Sequence, residues 1–302
     1  MSDNGMVELL LASEAKQDLD TLIASRAAAL QGKFLAIIHV GDNPASATYV
    51  RMKKKYGESH GIEVRIFGQE EEQTHNSLLA LIESLNTDKS CAGMMIQLPL
   101  PPALQPYATE LCARIAPLKD VDGLGGQLLG LSTIGQQNIR PATPGGILTL
   151  LDHYGYGDLR RQTVLIIGQS NLLGKPLAIA CINRGATVIT TNKSTDPDTL
   201  RTYCLQADII CSCTGVIHLI GADHIRHDGS QVIIDAGYGH LDGKAVGDVD
   251  FEAVESHVRA ITPVPGGVGP MTVAQLFANL IILATEDVHP TQRRSDVAPW
   301  FA

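Results

Sequence analysis

The chain has 302 residues, 44% of them hydrophobic, which is enough apolar material for two domains or one large α/β unit. With 32 acidic against 23 basic residues the net charge is -9, which argues against a basic nucleic-acid or anionic-membrane face and points to a small ligand. Ser2, Asp3 and Asn4 do not open a secretory signal, and the apolar run Leu276 to Ala284 is too short for a bilayer and broken by Asn279, so a cytoplasmic protein without a membrane partner is expected.

In chain order, the pattern predicts a helix at Ser13 to Leu30, a strand at Phe34 to Val40, a helix at Pro44 to His60 and a strand at Ile62 to Phe67. A helix at Asn76 to Asn86 and a strand at Ala92 to Leu98 follow. A loop-rich stretch, Gly123 to Gly135, leads to a helix at Gly145 to His153. A second alternation then runs through strand Thr163 to Ile167, helix Gly174 to Arg184, strand Ala186 to Thr191, helix Pro197 to Gln206, and strands Asp208 to Cys213 and Gln231 to Ala236. The Gly-rich crossing Pro263 to Pro270 precedes a last helix, Met271 to Glu286, and a tail, 288–302, that carries Trp300. The expected fold is two α/β domains with parallel sheets, the second Rossmann-like, with the C-terminal helix packing back on the first. The first domain is expected to span 1–146, completed by 272–302, and the second 147–271.

Cys91, Cys112, Cys181, Cys204, Cys211 and Cys213 are scattered through apolar segments without a CxxC spacing, and read as buried thiols in a reducing compartment. No HExxH is present, and His224 and His227 lack further ligands at metal spacing, so no metal is expected.

Strand Thr163 to Ile167 runs into Gly168-Gln169-Ser170-Asn171-Leu172-Leu173-Gly174 and then a helix, a turn whose backbone N–H groups and helix dipole suit a pyrophosphate. The spacing is GxSxxxG, a weak dinucleotide motif in which Ser170 replaces the second glycine. The next strand ends at Asn192-Lys193-Ser194-Thr195, with no acid to hold ribose hydroxyls. A cation and hydroxyls there suit the 2'-phosphate of NADP, against the alternative of an exposed loop lysine.

In the first domain Asn43 and Pro44 mark a helix start. Tyr49 and Lys53, four apart, share a face that Lys54 leaves. Lys53-Lys54-Lys55 alone reads as a solvated basic face, whereas one lysine beside an aromatic ring in a cleft could work as an acid/base group. Gln97 at the end of the third strand, and Lys119-Asp120-Val121-Asp122-Gly123 at the domain boundary, read singly as turn chemistry.

Taken together, VGDNPASATYV with a lysine four after the tyrosine, QLPLP, KDVDG, TPGGI, GQSNLLGKP, GDVDF and TPVPGGVGPMT resemble the bifunctional methylenetetrahydrofolate dehydrogenase/methenyltetrahydrofolate cyclohydrolase family, from about Leu35 to Leu283. The resemblance implies that Lys53 is the catalytic lysine, Tyr49 the aromatic shaping the folate site, Gln97 the glutamine bonded to the lysine, and Asp122 the aspartate that grips the pterin. It implies that Ile96, Leu98, Pro263, Val264, Pro265, Gly266 and Gly267 line the folate pocket. It also implies that Gly168, Gln169, Ser170, Lys193, Ser194 and Tyr238 meet NADP. The first domain would then be the catalytic, folate-binding one, the second the NADP-binding one, and the protein a homodimer. The family pattern is left after KDVDG, where Leu124-Gly125-Gly126-Gln127-Leu128 predicts a loose, glycine-rich border to the cleft. Three rivals are set against this reading: a shikimate-type dehydrogenase, a relative with one of the two activities, and a silent folate or dinucleotide binder.

Overall fold

The computed structural model describes residues 7–69, 72–136 and 139–285. Ser2, Asp3, Asn4, Glu286 and the tail 288–302 with Trp300 lie outside the described residues. The chain opens with β1 (Glu8–Leu9), α1 (Ala12–Ala15) and α2 (Gln17–Arg26), followed by β2 (Phe34–Ile38), α3 (Pro44–Ser59), β3 (Glu63–Phe67), α4 (His75–Thr87) and β4 (Cys91–Ile96). Helices α5 (Ala108–Arg114) and α6 (Gly126–Thr133) lead to α7 (Ala142–His153). Next come β5 (Thr163–Ile167), α8 (Gly174–Asn183), β6 (Thr187–Thr191), α9 (Pro197–Gln206), β7 (Ile209–Ser212) and β8 (Val232–Asp235). The hairpin β9 (Gly239–Leu241) and β10 (Lys244–Val246), then α10 (Phe251–Val254), β11 (Ala260–Ile261) and α11 (Val268–Thr285), complete the order.

The chain divides into two compact units. The first holds Asp18–Ala142 and the segment from Val273. Its parallel sheet has the order β3-β2-β4. Strand β2 is buried throughout, as a central parallel strand must be. Phe34, Ala36 and Ile38 pack towards Leu78 and Ile82 of α4. Leu35 and Ile37 pack with Val50 of α3 and with Leu276, Phe277 and Leu280 of α11. The last helix therefore completes the first unit's core, as its position after the second alternation predicts. It is also the one helix among the described residues long and apolar enough to cross a membrane, and 67% of it is buried inside the protein.

The second unit holds Thr143–Thr272 and the residues up to Gln17. The expected first domain starts at residue 1, but β1 pairs in parallel with β11, Glu8 opposite Ala260 and Leu9 opposite Ile261. The Tyr154 hydroxyl holds the backbone of Leu11 on both its N–H and its carbonyl. The six-stranded parallel sheet has the order β1-β11-β8-β7-β5-β6. From β5 the chain runs outward to β6 and returns past β5 to β7, so the carboxyl ends of β5 and β7 flank the crevice where open α/β sheets take ligands.

Several elements differ from the sequence reading. The helix expected over Ser13 to Leu30 is broken into α1, α2 and a 3-10 turn at Ala27–Leu30. The expected loop Gly123 to Gly135 contains α6, whose glycines mask its apolar spacing. Helices α7 and α11 begin three residues earlier than expected, with Pro144 and Pro270 in their first turns, where a proline removes no needed N–H. Two-residue strands such as β1 and β11 are too short to show any alternation.

Candidate active site

Helix α3 sets the first unit's chemical centre. The Asn43 side chain accepts a hydrogen bond from the Ser46 N–H at 3.0 Å, with Pro44 in the first turn, and this fixes the helix phase. That phase turns Ser46, Val50, Lys53 and Gly57 inward, while Lys54 and Lys55 are exposed. The solvated-face reading therefore holds for two of the three lysines. Lys53 is 4% exposed and its Nζ donates to Gln97 Oε1 at 2.8 Å. Gln97 is held in turn, its Nε2 donating to the Leu98 carbonyl and its backbone N–H to the Ile38 carbonyl, each at 2.8 Å. Tyr49 is half-buried one turn before Lys53, Ile96 is buried in the sheet and Leu98 is half-buried.

Burial lowers the Lys53 pKa from 10.5 to about 8, against the opposing pull of Asp122. The carboxyl of Asp122, half-buried, is pushed up by burial and drawn back by Lys53. The structure thus brings Lys53, Gln97 and Asp122 into one electrostatic group around an ammonium that can lose its proton near neutral pH.

Asp122 sits on a frame the sequence reading missed. Residues 119–121 run beside β4, the Met94 N–H donating to the Lys119 carbonyl at 2.7 Å. Lys119 Nζ donates to the carbonyls of Leu85 and Asp88, both at 2.7 Å, closing the end of α4. Buried Asp120 accepts from the N–H groups of Gly123 and Gly125 at 2.9 and 2.7 Å. Asn279 of α11, fully buried, donates to the carbonyls of Val121 and Arg140 at 2.9 and 2.8 Å. A polar residue interrupting the apolar run Leu276 to Ala284 is the signal the sequence offers for this contact. His39 was also missed. It is buried at the end of β2, held by Gln69 at 2.7 Å, and its pKa is lowered by burial and then by Lys53.

The second unit carries the remaining predicted residues. Gly168 has φ +110° and a Cβ there would stand 2.6 Å from the Cys213 carbonyl oxygen, while a Cβ at Gly174 would meet the Gly168 backbone. The glycine that comes one residue late in GxSxxxG therefore still serves close packing of the turn. Ser170 accepts from the Leu173 N–H at 3.1 Å, so its hydroxyl shapes this turn. Gln169 bridges to the end of β6, donating to Thr190 Oγ1 at 2.8 Å and accepting from Asn192 Nδ2 at 2.9 Å. Asn192 also receives the Ser194 N–H at 2.8 Å, leaving Lys193 and Ser194 exposed. Tyr238 is half-buried in the turn after β8. Pro263 to Gly267 form a turn in this unit, in which the Gly267 N–H donates to the Pro263 carbonyl at 2.9 Å and the Gly266 carbonyl accepts from Ala12. Among the described residues no group of three or more His, Cys, Asp or Glu is placed to hold a metal ion.

Residues 10–122 match the family model described as tetrahydrofolate dehydrogenase/cyclohydrolase, catalytic domain, and residues 141–288 match the NAD(P)-binding domain of the same pair. Bifunctional protein FolD of Methanosarcina acetivorans is 41% identical over 255 residues, 84% of this chain and 86% of its own. A crystal structure of the bifunctional enzyme FolD, methylenetetrahydrofolate dehydrogenase/cyclohydrolase, from Campylobacter jejuni superposes with a TM-score of 0.85 at 38% identity, covering 92% of this chain and 98% of that one. The Trypanosoma brucei methylenetetrahydrofolate dehydrogenase-cyclohydrolase, crystallised with NADP cofactor and an inhibitor, superposes with a TM-score of 0.84 at 27% identity, covering 92% and 97%.

Proposed function

This chain belongs to the tetrahydrofolate dehydrogenase/cyclohydrolase family, and from that premise we propose that it oxidises 5,10-methylenetetrahydrofolate with NADP and hydrolyses the methenyl product to 10-formyltetrahydrofolate. The observation that carries the reading is the buried Lys53 to Gln97 hydrogen bond with Asp122 acting on the same ammonium. Oxidation asks little of the protein beyond holding two ligands in register. The hydride acceptor would be the nicotinamide that NADP supplies when bound. The Gly168 to Gly174 turn suits its pyrophosphate, because the two glycines let the turn pack tightly on Cys213 and on itself at the end of β5 and the start of α8, and Lys193 and Ser194 offer a cation and a hydroxyl to a 2'-phosphate.

Hydrolysis asks for a base. Water adds its oxygen to the methenyl carbon and gives up one proton; the bond from that carbon to N5 then breaks as N5 takes a proton, and the new hydroxyl releases its own proton to solvent as it becomes the carbonyl of the formyl group left on N10. With a pKa of about 8, roughly a tenth of Lys53 is neutral at pH 7, so its amine can accept the proton of the attacking water and return it as ammonium. Gln97 Oε1 fixes where that nitrogen points. Asp122 supplies a carboxylate for the N–H donors of the pterin ring. Tyr49, Ile96 and Leu98 complete the first unit's folate contacts in this proposal, and Tyr238 and Gln169 the second unit's contacts to NADP. A homodimer and a cytoplasmic location are part of the same proposal, supported by the family resemblance and checked by sedimentation and by cell fractionation.

The test is absorbance spectroscopy with two substrates supplied separately: methylenetetrahydrofolate with NADP, and methenyltetrahydrofolate alone. Formation of NADPH in the first and loss of methenyl absorbance in the second are expected. A folded protein that does neither would refute the assignment.

A further inference from the structure

Two buried aspartates of the second unit take no part in the chemistry above. Asp235, the last residue of β8, is 3% exposed, and Asp248, shortly after β10, is 1% exposed. The Asp235 carboxylate accepts three backbone N–H groups: Oδ1 takes Gly237 at 2.9 Å and Asp248 at 3.0 Å, and Oδ2 takes Val249 at 2.9 Å. Asp248 Oδ2 accepts three more, from the Thr214 N–H at 2.7 Å, the Thr214 hydroxyl at 2.9 Å and the Ser212 hydroxyl at 2.8 Å. Its other oxygen, Oδ1, is buried and has no hydrogen-bond partner among the described residues. A Cβ at Gly237 would collide with the Asp248 carboxylate and one at Gly247 with that of Asp235, so the glycines of AGYG and GDVDF let the backbone close over the two acids.

Burying two carboxylates together is costly, and apolar residues of similar size commonly hold a fold as well or better. What the acids supply is placement. They tie together three segments: 212–214 leaving β7, 235–238 leaving β8, and 247–249. The first of these reaches the dinucleotide turn directly. The Cys213 N–H donates to the Ile167 carbonyl at 2.9 Å, and the Cys213 carbonyl is the group that forces glycine at 168. Thr214 is the next residue, at the edge of the crevice between β5 and β7. The second segment carries Tyr238.

We propose that Asp248 is a positioning residue of the dinucleotide site, fixing Thr214 through its Oδ2 and the Tyr238 turn through its backbone bond to Asp235. The inference rests on the dehydrogenase reading, and the two activities separate the ways in which it can fail. Hydrolysis of supplied methenyltetrahydrofolate consumes no dinucleotide, so a placement role in the dinucleotide site leaves it alone.

In Asp248→Ala the KM for NADP is expected to rise at least about tenfold, the scale for mispositioned binding groups, while hydrolysis keeps its wild-type kcat. Asp248→Asn retains an oxygen acceptor for Thr214 and is expected to restore NADP affinity to within about threefold of wild type. Should Asp248→Ala not fold, Thr214→Val removes the hydroxyl donor while keeping the backbone bond, and a raised KM for NADP with intact hydrolysis is again expected. A folded Asp248→Ala, or Thr214→Val in its place, with unchanged KM for NADP overturns the inference, and so does a fall in hydrolysis in step with NADP use, which marks a purely structural role. If the wild-type protein neither reduces NADP nor hydrolyses methenyltetrahydrofolate, the functional reading itself is overturned.

Discussion

Replacing Lys53 by methionine sets stability against chemistry in a way the structure quantifies. A fall in the lysine pKa from 10.5 to about 8 means that keeping the ammonium charged in the fold costs about 3 kcal/mol at pH 7. Methionine fills similar space without that cost. It also leaves Gln97 Oε1 without its donor on a residue only 7% exposed, which costs about 1 to 3 kcal/mol. The two effects oppose, so Lys53→Met is expected to be as stable as wild type or up to about 2 kcal/mol more stable at pH 7. The sign reverses with pH. The folded pKa lies below the unfolded one, so between 8 and 10.5 the unfolded chain holds more protons and wild-type stability climbs with pH, a rise the methionine variant lacks. By pH of about 10 wild type should be the more stable of the two. Hydrolysis should fall at least about a hundredfold at every pH, the scale for losing a positioned acid/base group, while in wild type it should climb as pH rises through about 8. Melting curves of both proteins from neutral to alkaline pH, beside hydrolysis of methenyltetrahydrofolate, make the comparison. Near-wild-type hydrolysis in Lys53→Met would refute the chemical role, and a melting difference that does not change with pH would refute the electrostatic argument. Lys54→Met, altering an exposed neighbour, should leave both measurements unchanged.

Asp122→Ala should weaken folate use in both activities by about 1.5 to 3 kcal/mol, read as a raised KM for methylene- and methenyltetrahydrofolate alike; unchanged values for both would reduce Asp122 to turn structure. Asn279→Leu removes the donor to two buried carbonyls, Val121 and Arg140, and should lower stability by about 2 to 5 kcal/mol, with hydrolysis reduced in the protein that remains folded because Asp122 adjoins Val121. A melting temperature equal to wild type would contradict this. Wild type should prefer NADP over NAD by about ten- to a hundredfold at low salt and less at high salt, and Lys193→Ala should lower NADP affinity while sparing NAD. An unchanged ratio of the two dinucleotides in Lys193→Ala would make Lys193 a bystander and leave the choice to the neutral bridge of Gln169, Asn192 and Thr190.

What could be read in the sequence was what local chemistry dictates. Strands β2 to β8 follow from apolar runs flanked by turn residues, and the phase of α3 from Asn43 and Pro44, which is enough to separate Lys53 from Lys54. What could not be read were contacts between residues far apart in sequence. Gln97 lies 44 positions from Lys53, and no spacing rule within one element connects them; it was reached through the family resemblance. Asn279 lies 158 positions from Val121, and the sequence showed it only as an interruption of an apolar run. Asp235 at the end of an expected strand and Asp248 in a loop carry no signal of their own until three backbone segments converge on them.

The segment 123–128 shows how a residue type can mislead when its partner is unknown. Its glycines predict high backbone entropy and a loose border, yet Asp120, buried just before them, gathers the N–H groups of Gly123 and Gly125. Burial pushes the Asp120 carboxyl up to about 6, so the group has gone into the interior at a cost that those backbone donors offset. A Cβ at 125 would stand 2.9 Å from Asp120 Oδ2, so glycine here makes room for the carboxylate and does not mark slack in the chain. Beyond it α6 buries Leu128 against Ile139 and Ile282, converting the expected loop into a packed element of the first unit. Within that unit, Asp122 stays half-buried and Lys53 keeps its bond to Gln97, so a rigid segment at 123–128 coexists with an intact chemical group. The departure from the family pattern therefore supplies no argument for a silent relative: the divergent residues rebuild the support beneath Asp122 and leave the acid, the amide and the amine in place.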